Sequence, residues 1–508
     1  MDRKLKLPIG IDNFEKIRKE NFYYVDKTKL IEQLLERWGE VNLFTRPRRF
    51  GKTLNMSMLN CFFSNQFTGR EDLFKGLAVW KKEKYRKMQG TYPVIFLSFA
   101  AIKGSNYEDA RDGIIMAINE AYSEHRYLLE SNELTDGERK CFEELDYYAK
   151  NPGIKKQVAN DTICNAVKNL ANCLSRYYKK KVIILLDEYD TPMQEAYLYG
   201  YWKEFTAFIR SLFNATFKTN PYLERAMMTG ITRVSKESVF SDLNNLKVIT
   251  VTSGEYSKCF GFTEKEVFDA LDEQGLSDEK EKVKLWYDGF TFGKSKDIYN
   301  PWSIINFLDE KNYKTYWADS SSNGLINSLV KTGSSYIKMM METLLKGETI
   351  DVPIDEQIVF SQLDYSEDAV WSLMLASGYL KVISSDKLTG DRTKSVMYKL
   401  ALTNFEIKLM FEDMILRWFS PAKNETNEFI KALITGDIES MNEYMNDVAL
   451  RTFSSFDTGK HTSEKKAPEN FFHGFVLGLM VDQSENYIIT SNRESGFGRY
   501  DIMLEPKD

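Results

Sequence analysis

The amino-acid sequence predicts a multidomain α/β protein whose first half is a parallel sheet with helices on both faces. Two observations carry that expectation. Segments that are apolar throughout, Tyr92–Phe99 (YPVIFLSF) and Lys181–Leu186 (KVIILL), alternate with stretches of helical periodicity. A strand covered on both faces reads as a continuous apolar run, whereas a half-solvated strand alternates. The 508 residues also exceed one ordinary domain of ~100–200 residues, and the strand–helix alternation fades after about residue 255.

In chain order, the first strand is Val41–Thr45, which runs into the turn Arg46-Pro47-Arg48-Arg49-Phe50-Gly51. Leu54, Met58 and Phe62 recur on one face of the next segment, predicting a helix from Lys52 to Phe63. The strand Tyr92–Phe99 follows, then helices near Tyr107–Tyr122 and Lys156–Tyr178, separated by a polar region around Glu130–Gly153. The most apolar strand, Lys181–Leu186, ends in Asp187-Glu188. A helix at about Trp202–Thr219 and a strand at about Arg225–Ile231 come next. Beyond 255 the chain reads as mostly helical, with short strands at Ser377–Ile383 and Ser395–Leu400. The tail has a helix candidate at about Asn470–Met480 and strands at Tyr487–Ser491 and Tyr500–Leu504. The expected segments are therefore 1–255, 256–425 and 426–508.

Lys+Arg number 68 and Asp+Glu 74, a net charge of −6, so nothing draws the whole chain to nucleic acid, although a local basic groove stays open. Five cysteines without CxxC pairs or zinc spacing suit buried thiols in a reducing cytoplasm. Three histidines, His125, His461 and His473, leave little room for His-rich metal sites or His-based triads. No apolar run approaches the ~18–20 residues of a membrane span, and the opening MDRKLKLPIG lacks a signal core. The expectation is a soluble cytoplasmic protein with no membrane partner.

A strand, a turn and Gly51-Lys52-Thr53 opening a helix make P-loop architecture. Backbone N–H groups of the turn and of the helix N-terminus face the phosphates, the lysine neutralises their oxygens, and Thr53 can ligate magnesium. The full GxxxxGK[ST] pattern asks for glycine where this chain has Arg46. The matching acidic pair is Asp187-Glu188 at the end of its strand: Asp187 holds magnesium through water, and Glu188 polarises the attacking water. Tyr92–Phe99 lies between the two motifs in sequence, in keeping with the additional strand of P-loop ATPases that use a catalytic glutamate. The expected nucleotide-binding residues are Arg46, Pro47, Arg48, Arg49, Phe50, Gly51, Lys52 and Thr53. Lys52 and Glu188 are the catalytic pair, and Thr53 and Asp187 the Mg²⁺ ligands. Thr232 and Arg233, after the next strand, stand where a γ-phosphate sensor lies or serve as helix cap and turn. Arg46, Arg48 and Arg49 contact phosphates, act across a subunit interface, or pair with surface carboxylates.

The runs Leu7–Phe14 (LPIGIDNF), Tyr23–Thr28 (YYVDKT) and Arg46–Thr53 (RPRRFGKT) closely resemble the AAA-ATPase-like family. These are bacterial proteins commonly fused to a C-terminal nuclease-like domain of the PD-(D/E)XK type. Arginine in place of the first glycine looks like the family's own form of the motif. Further matches are Leu186–Pro192 (LDEYDTP), Thr229–Arg233 (TGITR), Trp286–Phe290 (WYDGF), Tyr299–Trp302 (YNPW), Tyr316-Trp317 with Ser321–Asn323, and Ser377–Leu380 (SGYL). The resemblance implies ATP with Mg²⁺, a helical lid with a winged-helix-like element over 256–425, and a nuclease-like segment over 426–508. The Trp-Tyr-Asp-Gly-Phe run has no chemistry legible in the residues.

In such a nuclease segment Glu469 and Asp501 match the first two metal-binding positions, and Gly496 and Gly498 shape the turn before Asp501. The Glu505-Pro506-Lys507 string is a false match for the third. At ~3.3 Å per extended residue it lies ~13 Å along the same strand from Asp501. The missing acid and lysine belong on a strand beyond Asp508, so the expectation is a partial nuclease-like domain without a complete centre. Residues 421–508 hold 9 Lys+Arg and 15 Asp+Glu, net −6, a poor grip for phosphates. The reading that results is an ATPase coupled to this segment. Its alternative is a nucleotide-gated switch that turns over slowly, and a nucleic acid, a protein or a second copy of the chain stay open as partners.

Overall fold

Five parallel strands, the second to the fourth reached through helices, form the core of the computed structural model, which describes residues 6–37, 39–150, 158–232, 239–240, 242–320, 324–355, 363, 366–386, 396–418, 429–433, 435–453, 487–495 and 498–507. They are β1 (Val41–Thr45), β2 (Val94–Ser98), β3 (Val182–Asp187), β4 (Leu223–Gly230) and β5 (Leu246–Ile249), in the spatial order β2-β3-β4-β1-β5. Every residue of β1 and β3 is buried, as strands with helices on both faces require. This is the multidomain α/β architecture expected, with a P-loop NTPase fold at its centre.

The order corrects one expectation. The strand between β1 and β3 is β4, which pairs with both. The segment that precedes β3 in sequence became β2 and lies at the sheet edge. Two further elements went unexpected. Residues 130–153 are not simply polar, because Asp136–Lys150 is a helix that buries Cys141, Phe142 and Leu145. The alternation also continues as far as β5, which pairs with β1.

Past the sheet, Tyr256 and Phe260 pack their rings 5.0 and 5.4 Å from Phe44 of β1, so the core continues beyond residue 255. A small antiparallel sheet follows, ordered β6-β8-β7, from β6 (Phe262–Thr263), β7 (Phe290–Phe292) and β8 (Ser295–Tyr299). Helices Pro301–Glu310, Tyr316–Asp319, Gly324–Thr332 and Ser335–Leu345 come next. A second antiparallel sheet, β10-β11-β9, is built from β9 (Ile350–Pro353), β10 (Leu380–Asp386) and β11 (Met397–Leu402). The helix Glu367–Ser377 leads directly into the β10–β11 hairpin.

The tail strands form a hairpin, β12 (Tyr487–Ser495) with β13 (Gly498–Pro506). The helix candidate 470–480, Glu469, Gly496 and Arg233 lie outside the described residues. All five cysteines are free and buried. No helix among the described residues is long and apolar enough to cross a membrane.

Candidate nucleotide site

The tip of β1 and the start of the helix Lys52–Phe63 build a phosphate-sized turn because Gly51 takes φ +75°. A Cβ there would meet no atom within 4 Å, so the requirement for glycine is conformational rather than spatial. The turn opens on a cavity of about 480 Å³ lined by Arg48, Arg49, Gly51, Lys52, Thr53 and Glu188. The wall also includes Pro8–Asp12, Tyr23 and Tyr24, together with Cys259, Phe262, Pro301 and Trp302. The N-terminal segment and the region after residue 255 therefore both line the cavity with the phosphate turn.

Lys52 is 3% exposed; its Nζ lies 3.2 Å from Glu188 Oε1 and donates to the carbonyls of Arg46 and Pro47 at 3.2 Å. Glu188 follows the last residue of β3 with φ +51°. That left-handed turn costs a non-glycine residue ~1–2 kcal/mol and departs from the strand path just where the chain leaves the sheet. Asp187 is buried, and burial raises its pKa, opposed by hydrogen bonds from Thr229 and Thr53. Its Oδ1 accepts from the Thr229 hydroxyl, while its Oδ2 has no hydrogen-bond partner among the described residues. A buried carboxylate oxygen without a donor, beside the Thr53 hydroxyl, is a donor set that suits a hard cation.

The structure distributes the remaining expected residues unevenly. Arg46 points away from the cavity and is 0% exposed. Its Nη1 donates to the carbonyls of Thr45, Ile249 and Thr250 at 2.8, 3.2 and 2.7 Å, and its guanidinium lies 4.7 Å from the Phe292 ring centre. Desolvation lowers its pKa to about 10. Fully buried, it ties β1 to β5 instead of lining the cavity. Arg49 stacks 4.4 Å over Trp302, and Arg48 reaches Gln194 Oε1 at 3.3 Å. Phe50 is buried against Phe290 and Phe292. The Pro47 ring would lie 2.8 Å from a Cβ placed on Gly378.

Thr232 is also directed elsewhere. Its N–H and hydroxyl both donate to Asp190 Oδ2 at 2.8 Å, and its carbonyl accepts from Tyr189. The hydroxyl beside the acidic pair belongs to Thr229, which donates to Asp187 and accepts from the Glu188 N–H at 3.3 Å. Sequence reading quoted Thr229 but assigned it nothing. The available signal was register: Leu186 pairs with Met228, so the next step sets Thr229 beside Asp187. In the tail hairpin, Ser491 pairs with Ile502 and Arg493 with Tyr500.

Comparisons agree with this geometry. Residues 8–240 match the model of the AAA-ATPase-like family, described as predicted AAA-ATPase. An uncharacterized protein in the vnfD 5' region of Azotobacter chroococcum mcd 1 is 26% identical over 452 residues, covering 87% of this chain and 76% of that protein. Among solved structures, the ORC2 protein of Aeropyrum pernix in ADPNP–ADP complexes aligns with 79% of this chain and 93% of its own at 9% identity, with a TM-score of 0.23, too slight to carry residue roles across. Residues 8–240, with the phosphate turn and the acidic strand on one parallel sheet, are thus similar to the AAA-ATPase-like family of P-loop proteins.

Proposed function

We propose that the chain is a Mg²⁺-dependent P-loop ATPase whose nucleotide state is relayed through residues 256–425 to the segment 426–508. What carries this reading is the convergence of Lys52, Thr53 and Glu188 on one cavity, with Asp187 and Thr229 directly behind them. Thr53 and Asp187 would hold Mg²⁺, which supplies charge neutralisation for the β- and γ-phosphate oxygens. Lys52 leaves Glu188 and the two loop carbonyls to take up phosphate oxygens, and the amides of Gly51 and the helix N-terminus cradle them. Glu188, once released, orients water for in-line attack. Thr229 keeps Asp187 and the Glu188 backbone in register as the γ-phosphate departs. Arg48 and Arg49 flank the rim, and the apolar end of the cavity at Ile9, Ile11 and Tyr24 accepts the base.

The Lys52–Glu188 pair favours a second reading, a nucleotide-gated switch that holds ATP but turns over slowly. In it, the general base stays tied to the phosphate lysine until a protein, a nucleic acid or a second copy of the chain engages. Mg²⁺-dependent ATP hydrolysis by the wild type, Lys52→Ala and Glu188→Gln separates the two. Turnover lost in both variants supports the ATPase. Lys52-dependent binding without turnover supports the switch. Binding and turnover that ignore Lys52 refute both.

A further inference from the structure

Asp190, the second aspartate of the run Leu186–Pro192 (LDEYDTP), stands at the N-cap of the helix Thr191–Leu198. An aspartate there ordinarily caps its helix by accepting from the first free N–H groups. The Asp190 carboxylate makes no such bond among the described residues. It turns to the chain just beyond β4 instead, where Oδ2 accepts from the Ile231 N–H at 3.0 Å and from the N–H and hydroxyl of Thr232 at 2.8 Å. The approach is close. A Cβ on Gly230 would lie 2.6 Å from Asp190 Oδ1, so the bare backbone of glycine makes room for the carboxylate. Asp190 is 0% exposed, and three donors from one stretch of chain hold it in one orientation.

The same oxygen accepts from a fourth donor, Gln194 Nε2 at 3.3 Å, one turn along the helix. Gln194 Oε1 in turn accepts from Arg48 Nη2 of the phosphate turn at 3.3 Å. Chemistry decides which way this amide faces. Asp190 Oδ2 already receives three donors and can only accept, whereas a guanidinium can only donate. The NH2 end must therefore face Asp190 and the carbonyl end Arg48; the reversed amide would set oxygen against oxygen and N–H against N–H. Arg48 thus meets an acceptor whose direction is fixed from the end of β4. Arg48 and Gln194 both line the nucleotide cavity, together with Thr191 and Ile231.

We propose that Gln194 is a positioning residue for phosphate binding: it aims the Arg48 guanidinium at the phosphates in the cavity, and Asp190 sets the direction of its amide. The inference rests on the nucleotide reading of the cavity and adds to it a line of contact between β4 and the phosphate turn. Arg48 touches the phosphates, while Gln194 and Asp190 act through it. The helix Thr191–Leu198 gives up an ordinary cap so that its first turn can join the end of β4 to that arginine.

The test is a double-mutant cycle in ATP affinity, read by calorimetric titration of the full chain with Mg²⁺ present. Wild type, Gln194→Met, Arg48→Met and the double variant are measured beside Lys52→Ala. Methionine keeps the bulk of either side chain and suits a helix, but has neither amide nor guanidinium. Arg48→Met is expected to weaken binding about tenfold and Gln194→Met about fivefold. The double variant should match Arg48→Met to within about twofold, because without the guanidinium the glutamine has nothing to aim. A glutamine that merely braces its helix would multiply its own loss onto that of Arg48→Met, and this result overturns the inference. Wild-type affinity in Gln194→Met or in Arg48→Met, with Lys52→Ala impaired, overturns it too and leaves the nucleotide reading standing. Absent binding, or binding that ignores Lys52, removes the nucleotide reading and this inference with it. Should Gln194→Met fail to fold, Gln194→Ala is held to the same criteria.

Discussion

Arg46 stands where the ordinary loop has its first glycine, and its guanidinium serves carbonyls rather than phosphates. Restoring the common residue should therefore do harm. Arg46→Gly is expected to cost ~2–4 kcal/mol in urea unfolding, because buried carbonyls lose a charged donor. Arg46→Met, which keeps the contacts with Phe260 and Phe292, should cost less. At the acidic pair, Thr229→Val should lower kcat ten- to a hundredfold while nucleotide affinity stays within about threefold. Thr232→Val should act on stability instead, by removing a donor from the buried Asp190 carboxylate. These two threonines show where the sequence stopped being informative. They share a side chain and lie three residues apart, and only pairing along β3 decides which hydroxyl reaches Asp187. Lys52, Thr53, Asp187 and Glu188 were legible because each type has a fixed place relative to a strand end. The use of Arg46 was not, because its partners at the end of β5, the Ile249 and Thr250 carbonyls, are 203 and 204 residues away.

At the level of elements, β1 and the helix after the phosphate turn were read with their limits and β3 to within one residue, since the turn between β1 and the helix and the acidic pair after β3 mark where each one ends. The helix Asp136–Lys150 was missed because it buries only one narrow stripe and the rest of it is polar. Strand order could not be read either: β4 inserts between β1 and β3 although it follows both in the chain. One joint between elements has a pH signature. His125 caps the helix Tyr107–Glu124, and its Nε2 lies 3.1 Å from the Val94 carbonyl of β2. Burial lowers its pKa to about 4 from an ordinary 6.5. The unfolded chain then binds a proton between pH 6.5 and 4 that the folded chain does not. The contribution is complete above pH 6.5 and fades as pH falls toward 4, by about 3 kcal/mol at most. Unfolding free energies of the wild type and His125→Gln across that window should differ in slope, with the variant flatter.

Across the whole molecule, residues after 255 are hooked onto the phosphate turn by its backbone. The Arg48 carbonyl accepts from Trp317 Nε1 at 2.9 Å and from Asn300 Nδ2 at 3.3 Å. Glu406 holds the Trp317 N–H at 2.6 Å and the Ser303 hydroxyl at 2.9 Å. Nucleotide that rearranges the turn must therefore shift this hook. Trp317→Phe should leave ATP affinity within about threefold but abolish any ATP-dependent change in protease protection of residues 256–425. Equal protection changes in wild type and variant would refute the hook as the relay. A different consequence follows from the sealed interior, where every thiol is buried and burial pushes Cys259 up to about 11. An alkylating reagent finds no surface thiol on the folded protein, so each cysteine becomes a timer for the opening of its own neighbourhood. Cys259, on the wall of the nucleotide cavity, should be slowed by ATP, while Cys141 and Cys173, among the helices beyond the sheet, keep their pace. The masses of the alkylated peptides would then map where nucleotide quiets the molecule.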